Sequence, residues 1–498
     1  MNNRITYLIT LGLSLLCLYS AHAETQKPNV LFIFADDQMW NSLGCLEGSQ
    51  VKTPNLDRLR HQGALFTHAY NMGSYTPAVC VASRTMLNTG AFVWNAAELS
   101  PKGNNHNDPN APKNQAKYTI DKRKPTGYWS QWMKEAGYET YFSGKWHVSG
   151  TKAKNLFDHV KHERGGMPGG AKKNYSREFI PGEPDGWSYD KSQGGFWQGG
   201  KHWSEVLGDD SEAFLEQAGK SDKPFFMYLG FNAPHDPRQA PKEYLDMYDV
   251  NKMKVPVNFL PEYPYNEAAG AGRGLRDERT APFPRTEHAI KVTRQEYYAL
   301  ITHMDTQIGR ILDALEATGK ADNTYIFFTA DHGLAVGDHG FLGKQNMYDS
   351  SMRVPFLLAG PGIPADSTVD APIYLQDAMA TSLAIAQFPK PKQVEFQNLL
   401  PLAKGETKTS AYDAIYGAYF GAQRMYRNEK YKMIIYPTIN VVRLYDMVND
   451  PLETKDLAEG RNRPVELMNS LFSAYQKQQE EMKDPVDVSK AYETFMSK

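Results

Sequence analysis

The chain has 498 residues, with 55 Lys+Arg against 57 Asp+Glu and a net charge of −2. That balance lacks the strong basic excess of a nucleic-acid-binding protein, so no nucleic-acid partner is expected. The length suits one large domain and a smaller one.

Residues 1–23 carry Arg4, an apolar run from Ile5 to Leu18 and then Ala21-His22-Ala23. A charged start, a short apolar stretch and a small-x-small end are the layout of a secretory signal peptide. The run is too short to cross a bilayer as a helix, so no stable membrane anchor is expected. Cys17 follows Leu16, where a lipoprotein signal would want a small residue. The expectation is a periplasmic or secreted protein whose mature chain starts near Glu24. That chain keeps two cysteines, Cys45 and Cys80, few for an oxidising compartment. A disulfide between them is disfavoured because Cys80 has a better use, given below.

Residues 29–35 are a continuous apolar run ending in Asp36-Asp37, as a central parallel strand would be. Thr53-Pro54 predicts a helix start by N-cap and N1 proline, with Gly63 as its end. Cys80 precedes a helix that closes near Thr89-Gly90. Residues 139–142, 224–231 and 324–330 read as further strands. Thr293-x-x-Glu296 reads as a capping box for a helix carrying Ile301, Met304, Ile308, Ile311 and Leu315, closed by Gly319. Strands alternating with helices predict an α/β fold. Residues 100–125 and 160–210, rich in Lys, Asn, Gly and Trp, read as long surface loops of the functional kind. After residue 395 the pattern changes: 414–420, 431–436 and 441–445 read as short antiparallel strands. A helix follows with Val465, Met468, Phe472 and Tyr475 on one face. The predicted division is 24–395 as the main domain and 396–498 as a small C-terminal α+β subdomain.

Two acidic groups follow apolar strands: Asp36-Asp37 after the first and Asp331-His332 after 324–330. Ligands collect at the carboxyl ends of strands in open α/β sheets. Carboxylates gathered there repel one another unless a cation neutralises them, and Asp oxygens are hard donors suited to calcium or magnesium. Either pair alone would read as a turn cap; both together favour a metal site. Cys80 opens Cys80-x-Ala82-x-Arg84 at a helix N-terminus, where it feels the helix dipole and the nearby arginine. By itself that pattern also fits a buried free thiol.

The ordered set of motifs resembles the type I, formylglycine-dependent sulfatase family of the alkaline-phosphatase-like superfamily. It runs through 29–37, Thr53-Pro54-Asn55-Leu56-Asp57, Cys80–Arg84, Gly144-Lys145-Trp146-His147, Ala233-Pro234-His235, Asp331-His332-Gly333, Gly343-Lys344 and Arg353-Val354-Pro355. The resemblance implies a large mixed β-sheet flanked by helices, with a small C-terminal subdomain carrying an antiparallel sheet. It implies that a separate formylglycine-generating maturation enzyme oxidises Cys80 to Cα-formylglycine, whose hydrate is the nucleophile. One calcium ion would be held by Asp36, Asp37, Asp331, His332 and residue 80. The metal and Arg84 would favour the ionised diol, and Lys145 and Lys344 would bind the equatorial sulfate oxygens. His147 would take the proton that triggers sulfate release. His235 would protonate the leaving alcohol, with Lys344 the competitor for that role. His339 stays outside this set. Trp197 and Trp203 fit equally a sugar-stacking surface or a loop core. The implied substrate is a sulfated carbohydrate, a polysaccharide or its oligosaccharides such as an algal galactan. Phosphatase or phosphonate monoester hydrolase activity on the same fold, and a non-catalytic carbohydrate-binding relative, are the alternatives. The second zinc-ligand set of a phosphatase has no clear counterpart here, and an inactive relative would be expected to have lost Cys80, Arg84 or a metal acid.

Overall fold

The computed structural model describes residues 27–101, 115–164, 177–183, 196–197, 200–236 and 238–498. Residues 1–26, which include the segment read as a signal peptide, about half of the 160–210 stretch and the Trp197 side chain lie outside the described residues.

The main sheet has eight strands: β1 (Asn29–Asp36), β2 (Gly63–Phe66), β3 (Glu139–Lys145), β4 (His159–Arg164), β5 (Phe225–Pro234), β6 (Thr324–Ala330), β7 (Phe356–Ala359) and β8 (Ser367–Val369). Their order is β8-β2-β7-β6-β1-β5-β3-β4. The run from β6 to β4 is parallel, and β7 pairs antiparallel with both β6 and β2. Strands β1, β5 and β6 are buried along their whole length. That is why they read as unbroken apolar runs: both faces of a central parallel strand are covered. Gly144 has φ +107, and a Cβ there would meet the Gly230 carbonyl at 1.9 Å. Only glycine lets β3 pass β5 so closely just before Lys145.

Helix α1 (Pro54–Gln62) has Pro54 at its first turn and ends at Gly63, which opens β2. Helix α2 (Val79–Thr89) is buried throughout and closes on Gly90 at φ 72. Helix α3 (Trp203–Gly219) begins inside the stretch read as a loop, and β4 opens it, so 160–210 is less irregular than its composition suggests. Helix α4 (Glu287–Ala317) corrects the capping-box reading. Its N-cap is Thr286, whose side chain accepts from the Ala289 amide, and Thr293 lies inside the helix with its hydroxyl on the Ala289 carbonyl at 2.8 Å. Ala289, Ile290 and Val292 extend the buried face upstream of Thr293, so the helix starts earlier. No helix of the described residues is long and apolar enough to cross a membrane.

The C-terminal sheet contains β9 (Ile415–Tyr419), β10 (Gln423–Arg427), β11 (Tyr431–Tyr436) and β12 (Val441–Asp446). It is joined by Gly73–Ser74, which pairs parallel with β9 just upstream of Cys80. Strand β10 escaped the sequence reading because Arg424 and Arg427 break its apolar pattern, yet both are buried. Helix α5 (Val465–Glu481) buries Met468, Leu471, Phe472 and Tyr475, while Val465 at its first residue is exposed.

Candidate active site

Four neighbouring parallel strands, in the order β6-β1-β5-β3, end at one edge of the main sheet. Strand β6 leads into Asp331 and His332, β1 into Asp36 and Asp37, β5 into His235, and β3 into Lys145 and His147. Helix α2 brings Cys80 in its first turn and Arg84 one turn on. Lys344 comes from the segment between β6 and β7. Asp37 at φ 67 and His147 at φ 51 both hold the left-handed conformation. Such backbone is costly for residues other than glycine and collects at working sites.

Three cations face three carboxylates here, all buried. Arg84 Nε donates to Asp331 Oδ2 at 2.8 Å and its Nη1 to the Lys145 carbonyl at 2.7 Å. Its Nη2 lies 3.9 Å from Asp36 and has no hydrogen-bond partner among the described residues. Lys145 Nζ donates to Asp36 Oδ2, and Lys344 Nζ to Asp37 Oδ2. Burial pushes the Asp36 carboxyl up, but Lys145, with His235, Arg84 and Lys344, holds it well below the usual carboxylate range. Asp331 goes the other way. Burial and the Asp36 charge raise it to about 6 against the pull of Arg84 and Lys145.

Cys80 Sγ lies 3.3 Å from Asp36 Oδ1, 3.7 Å from Asp37 Oδ1 and 3.2 Å from Lys344 Nζ. Burial, then the Asp331 and Asp36 charges, push the thiol well above its ordinary range. The nearby Arg84 is engaged with Asp331. An unmodified thiol here is a poor nucleophile, since the thiolate is the reactive form.

Asp36, Asp37, Cys80 and His235 place ligand atoms within 4.8 Å of one another, so this group could hold a metal ion. Carboxylate oxygens and an imidazole suit a hard or borderline cation. Three of the five metal ligands read from the sequence fall in this group, together with His235, which the sequence reading assigned to acid chemistry. Asp331 adjoins it: its Oδ1 accepts from the Asp37 amide at 3.1 Å. The His332 Nδ1 lies 3.2 Å from the Gly333 carbonyl, and burial, then Lys344, lower its pKa to about 3. His147 is half-buried, and its enclosed Nδ1 is unpartnered among the described residues. Burial, then Lys145 and Arg84, lower its pKa to about 2, so in the absence of substrate it is a neutral imidazole and a weak base. His339 packs instead on Tyr348, ring centroids 3.6 Å apart. Trp203 is buried under the Arg164 guanidinium, which favours its core reading over a sugar surface.

Around His235 the structure adds residues that no motif marked. Its Nδ1 lies 2.7 Å from the Asp236 carbonyl and 2.9 Å from Asp236 Oδ1, and its Nε2 lies 3.4 Å from Asp37 Oδ2. Arg276 Nη2 is 3.3 Å from that Nε2 and 3.3 Å from Asp236 Oδ1. Asp277 accepts from Arg276 at 2.6 Å and from Gln345 at 2.8 Å. Behind the acids, Tyr297 Oη donates to the Asp37 carbonyl at 2.7 Å and Asn71 Nδ2 to the Asp331 carbonyl at 2.6 Å. The sole sequence signal for Arg276 and Asp277 was a charged run in a loop without a motif.

A family model described as "Sulfatase" matches residues 28–388, and one described as "N-sulphoglucosamine sulphohydrolase, C-terminal" matches residues 337–481. The N-acetylglucosamine-6-O-sulfatase of Bacteroides thetaiotaomicron is 26% identical over 93% of this chain and 88% of its own length. A protein solved in complex with its substrate D-glucosamine-2-N,6-O-disulfate superposes with a TM-score of 0.68 at 23% identity, over 92% of this chain and 99% of its own. The phosphonate monoester hydrolase of Agrobacterium radiobacter does so with a TM-score of 0.68 at 21% identity, over 93% and 97%. These two likenesses are of fold.

Proposed function

The chain belongs to the sulfatase family and is a sulfuric ester hydrolase of the alkaline-phosphatase-like fold, and from this we propose that it is an exported enzyme that desulfates polysaccharides or their oligosaccharides, using a formylglycine hydrate made from Cys80 and one calcium ion. The observation that carries the reading is the buried balance of Arg84, Lys145 and Lys344 against Asp36, Asp37 and Asp331, with Cys80 in its midst. Those charges cancel. A divalent cation then leaves room for two negative charges: a sulfate monoester and one ionised hydroxyl. A phosphate monoester dianion would overfill the site by one, which favours sulfate. A phosphonate monoester carries the same single charge as sulfate and is the rival to be tested.

Asp36, Asp37, Asp331, His332 and residue 80 would hold the calcium, with His235 beside them; hard oxygen donors favour calcium over zinc. Bound there, calcium would act as a Lewis acid that stabilises developing negative charge. The rest falls to the chain. One hydroxyl of the residue-80 diol attacks sulfur, and the bond from sulfur to the sugar oxygen breaks. His235 gives the leaving alcohol its proton, which a sugar hydroxyl needs because it is a poor leaving group. Lys145 and Lys344 turn from their carboxylates to the sulfate oxygens. His147, neutral, takes the proton of the second hydroxyl. The carbonyl re-forms as the bond between the residue-80 carbon and the bridging oxygen breaks, sulfate departs with that oxygen and the bonding electrons, and water rehydrates the aldehyde.

The test uses protein made together with its maturation enzyme. Peptide mass spectrometry should find the aldehyde or its hydrate at residue 80, and metal analysis should find calcium. A panel of glucosamine sulfates, sulfated galactans and a phosphonate monoester should be turned over fastest on a sulfated sugar. Activity from an unmodified thiol, stoichiometric zinc without calcium, or preference for the phosphonate would each overturn a stated part.

A further inference from the structure

Arg238 stands three residues past His235, where the chain leaves β5. It is only 6% exposed. Its charge reaches Tyr297, which holds the Asp37 carbonyl, and Arg285. The next residue is fixed, because the Gln239 carbonyl lies 2.8 Å from His202 Nε2. Among the described residues, no hydrogen bond or ion pair engages the Arg238 guanidinium. The carboxylates around it are already matched. Asp236 and Asp277 face Arg276, Glu278 faces Arg285, and Glu296 faces Arg177.

None of the Arg238 nitrogens is among the enclosed side-chain atoms left without a partner, so a side chain that is otherwise buried keeps its donors open to solvent, where a ligand can take the place of water. Arg238 also falls outside the three-against-three balance that receives the scissile sulfate. We propose that Arg238 is a specificity-determining residue that binds a second anionic group of the substrate, a carboxylate or a further sulfate on the sugar that carries the scissile ester or on its neighbour. Its planar fork of donors suits either oxyanion. The inference rests on the sulfatase reading and narrows it: the preferred substrates carry at least two negative groups.

The experiment uses the matured, calcium-loaded full chain as wild type, Arg238→Gln and Arg238→Lys. Each is measured on four substrates: 4-nitrophenyl sulfate, a monosulfated neutral disaccharide, its disulfated counterpart, and a monosulfated disaccharide bearing a uronate. Wild type should prefer one of the last two, and which one it prefers identifies the second group as sulfate or carboxylate. On that substrate Arg238→Gln should lose at least tenfold more kcat/KM than on the first two, chiefly through KM, and Arg238→Lys should recover part of the loss. Equal losses on all four, or none, overturn the proposal. Melting without ligand is a second readout. Arg238→Gln should melt no lower than wild type, because no internal bond is lost, and a drop of several degrees would mean a structural role instead. The disulfated or uronate-bearing disaccharide should raise the melting temperature of wild type more than that of Arg238→Gln, and equal shifts count against the proposal whatever the turnover. Failure of wild type to cleave any sulfate ester would instead strike at the sulfatase reading.

Discussion

Two buried clusters of charge lie in this molecule, and they differ in what is left over. In the C-terminal sheet, the Lys432 ammonium on β11 donates to Asp349, to Glu453 at 2.7 Å and to the Met347 carbonyl at 3.3 Å. An ammonium has three donors, and all three are placed. The other Glu453 oxygen accepts from the Asp349 amide at 2.8 Å, and the other Asp349 oxygen from Tyr70 Oη at 3.2 Å. That cluster is closed. At the carboxyl edge of the main sheet the same residue types leave Arg84 Nη2 and His147 Nδ1 unpartnered among the described residues and a thiol lodged between carboxylates. Burial of charge therefore does not mark function. Between these two clusters the difference is the unfinished hydrogen bonding around the thiol.

Variants should separate the two clusters. The largest effect is expected from Cys80→Ala, which removes the nucleophile: turnover should fall on the order of 10⁶-fold, with little change in melting temperature. A small loss of rate would mean that residue 80 is not the nucleophile. Next, His235→Ala should cost about 10²–10⁴-fold on sugar sulfates. On an aryl sulfate, whose phenolate leaves unaided, the loss should be far smaller. The ratio of the two losses is the measurement, and equal losses would pass the acid role to Lys344. Lys432→Met should do the reverse of Cys80→Ala. It strands two buried carboxyls, and breaking such a cluster costs about 3–5 kcal/mol. Denaturant unfolding should show that loss while the fraction still folded turns over normally; unchanged stability would mean that the cluster relaxes without its lysine.

The two clusters were also unequally legible in the sequence. Asp36, Asp37, Asp331 and His332 could be found because each pair ends an unbroken apolar strand, so the one-dimensional pattern carries the three-dimensional edge. Cys80, Lys145, His147, His235 and Lys344 were assigned only through the ordered motifs of a family; singly, each reads as an ordinary residue. The closed cluster gave no signal. Lys432 alternates with apolar neighbours as a solvent-facing strand residue would, and nothing local shows that Asp349 and Glu453 await it on the far side. Arg276 and Arg238 were missed for a related reason. Their meaning lies in which partners they have or lack, and pairing between distant segments is invisible to periodicity. The same limit hid β10, whose Arg424 meets Asp484 at 2.5 Å across 60 residues.

The smallest expected effect concerns pH and tests whether the closed cluster is as complete as its hydrogen bonds suggest. Burial raises Glu453 from 4.5 to about 7, with the Asp349 charge adding to it and Lys432 opposing it. A carboxyl whose folded pKa exceeds its unfolded value binds its proton more tightly in the native state. Its contribution to stability is therefore full below about 4.5 and is lost as pH rises through about 7. Wild-type stability should carry a component that declines across that window, on top of whatever the remaining groups add. Glu453→Gln keeps one of the two contacts, since its single amide oxygen can accept from Lys432 or from the Asp349 backbone, and it removes the titration. Denaturant midpoints measured from pH 4.5 to 7.5 should show the variant losing less stability than wild type as pH rises. The difference between the two curves should vanish above no pH in the window and should grow steadily toward neutrality. Parallel curves would mean that Lys432 already holds Glu453 ionised at pH 4.5, and the cluster would then be closed electrostatically as well as by hydrogen bonds. Either way Glu453→Gln leaves untouched the carboxylates at the edge of the main sheet, so turnover per folded molecule should not follow the stability curve.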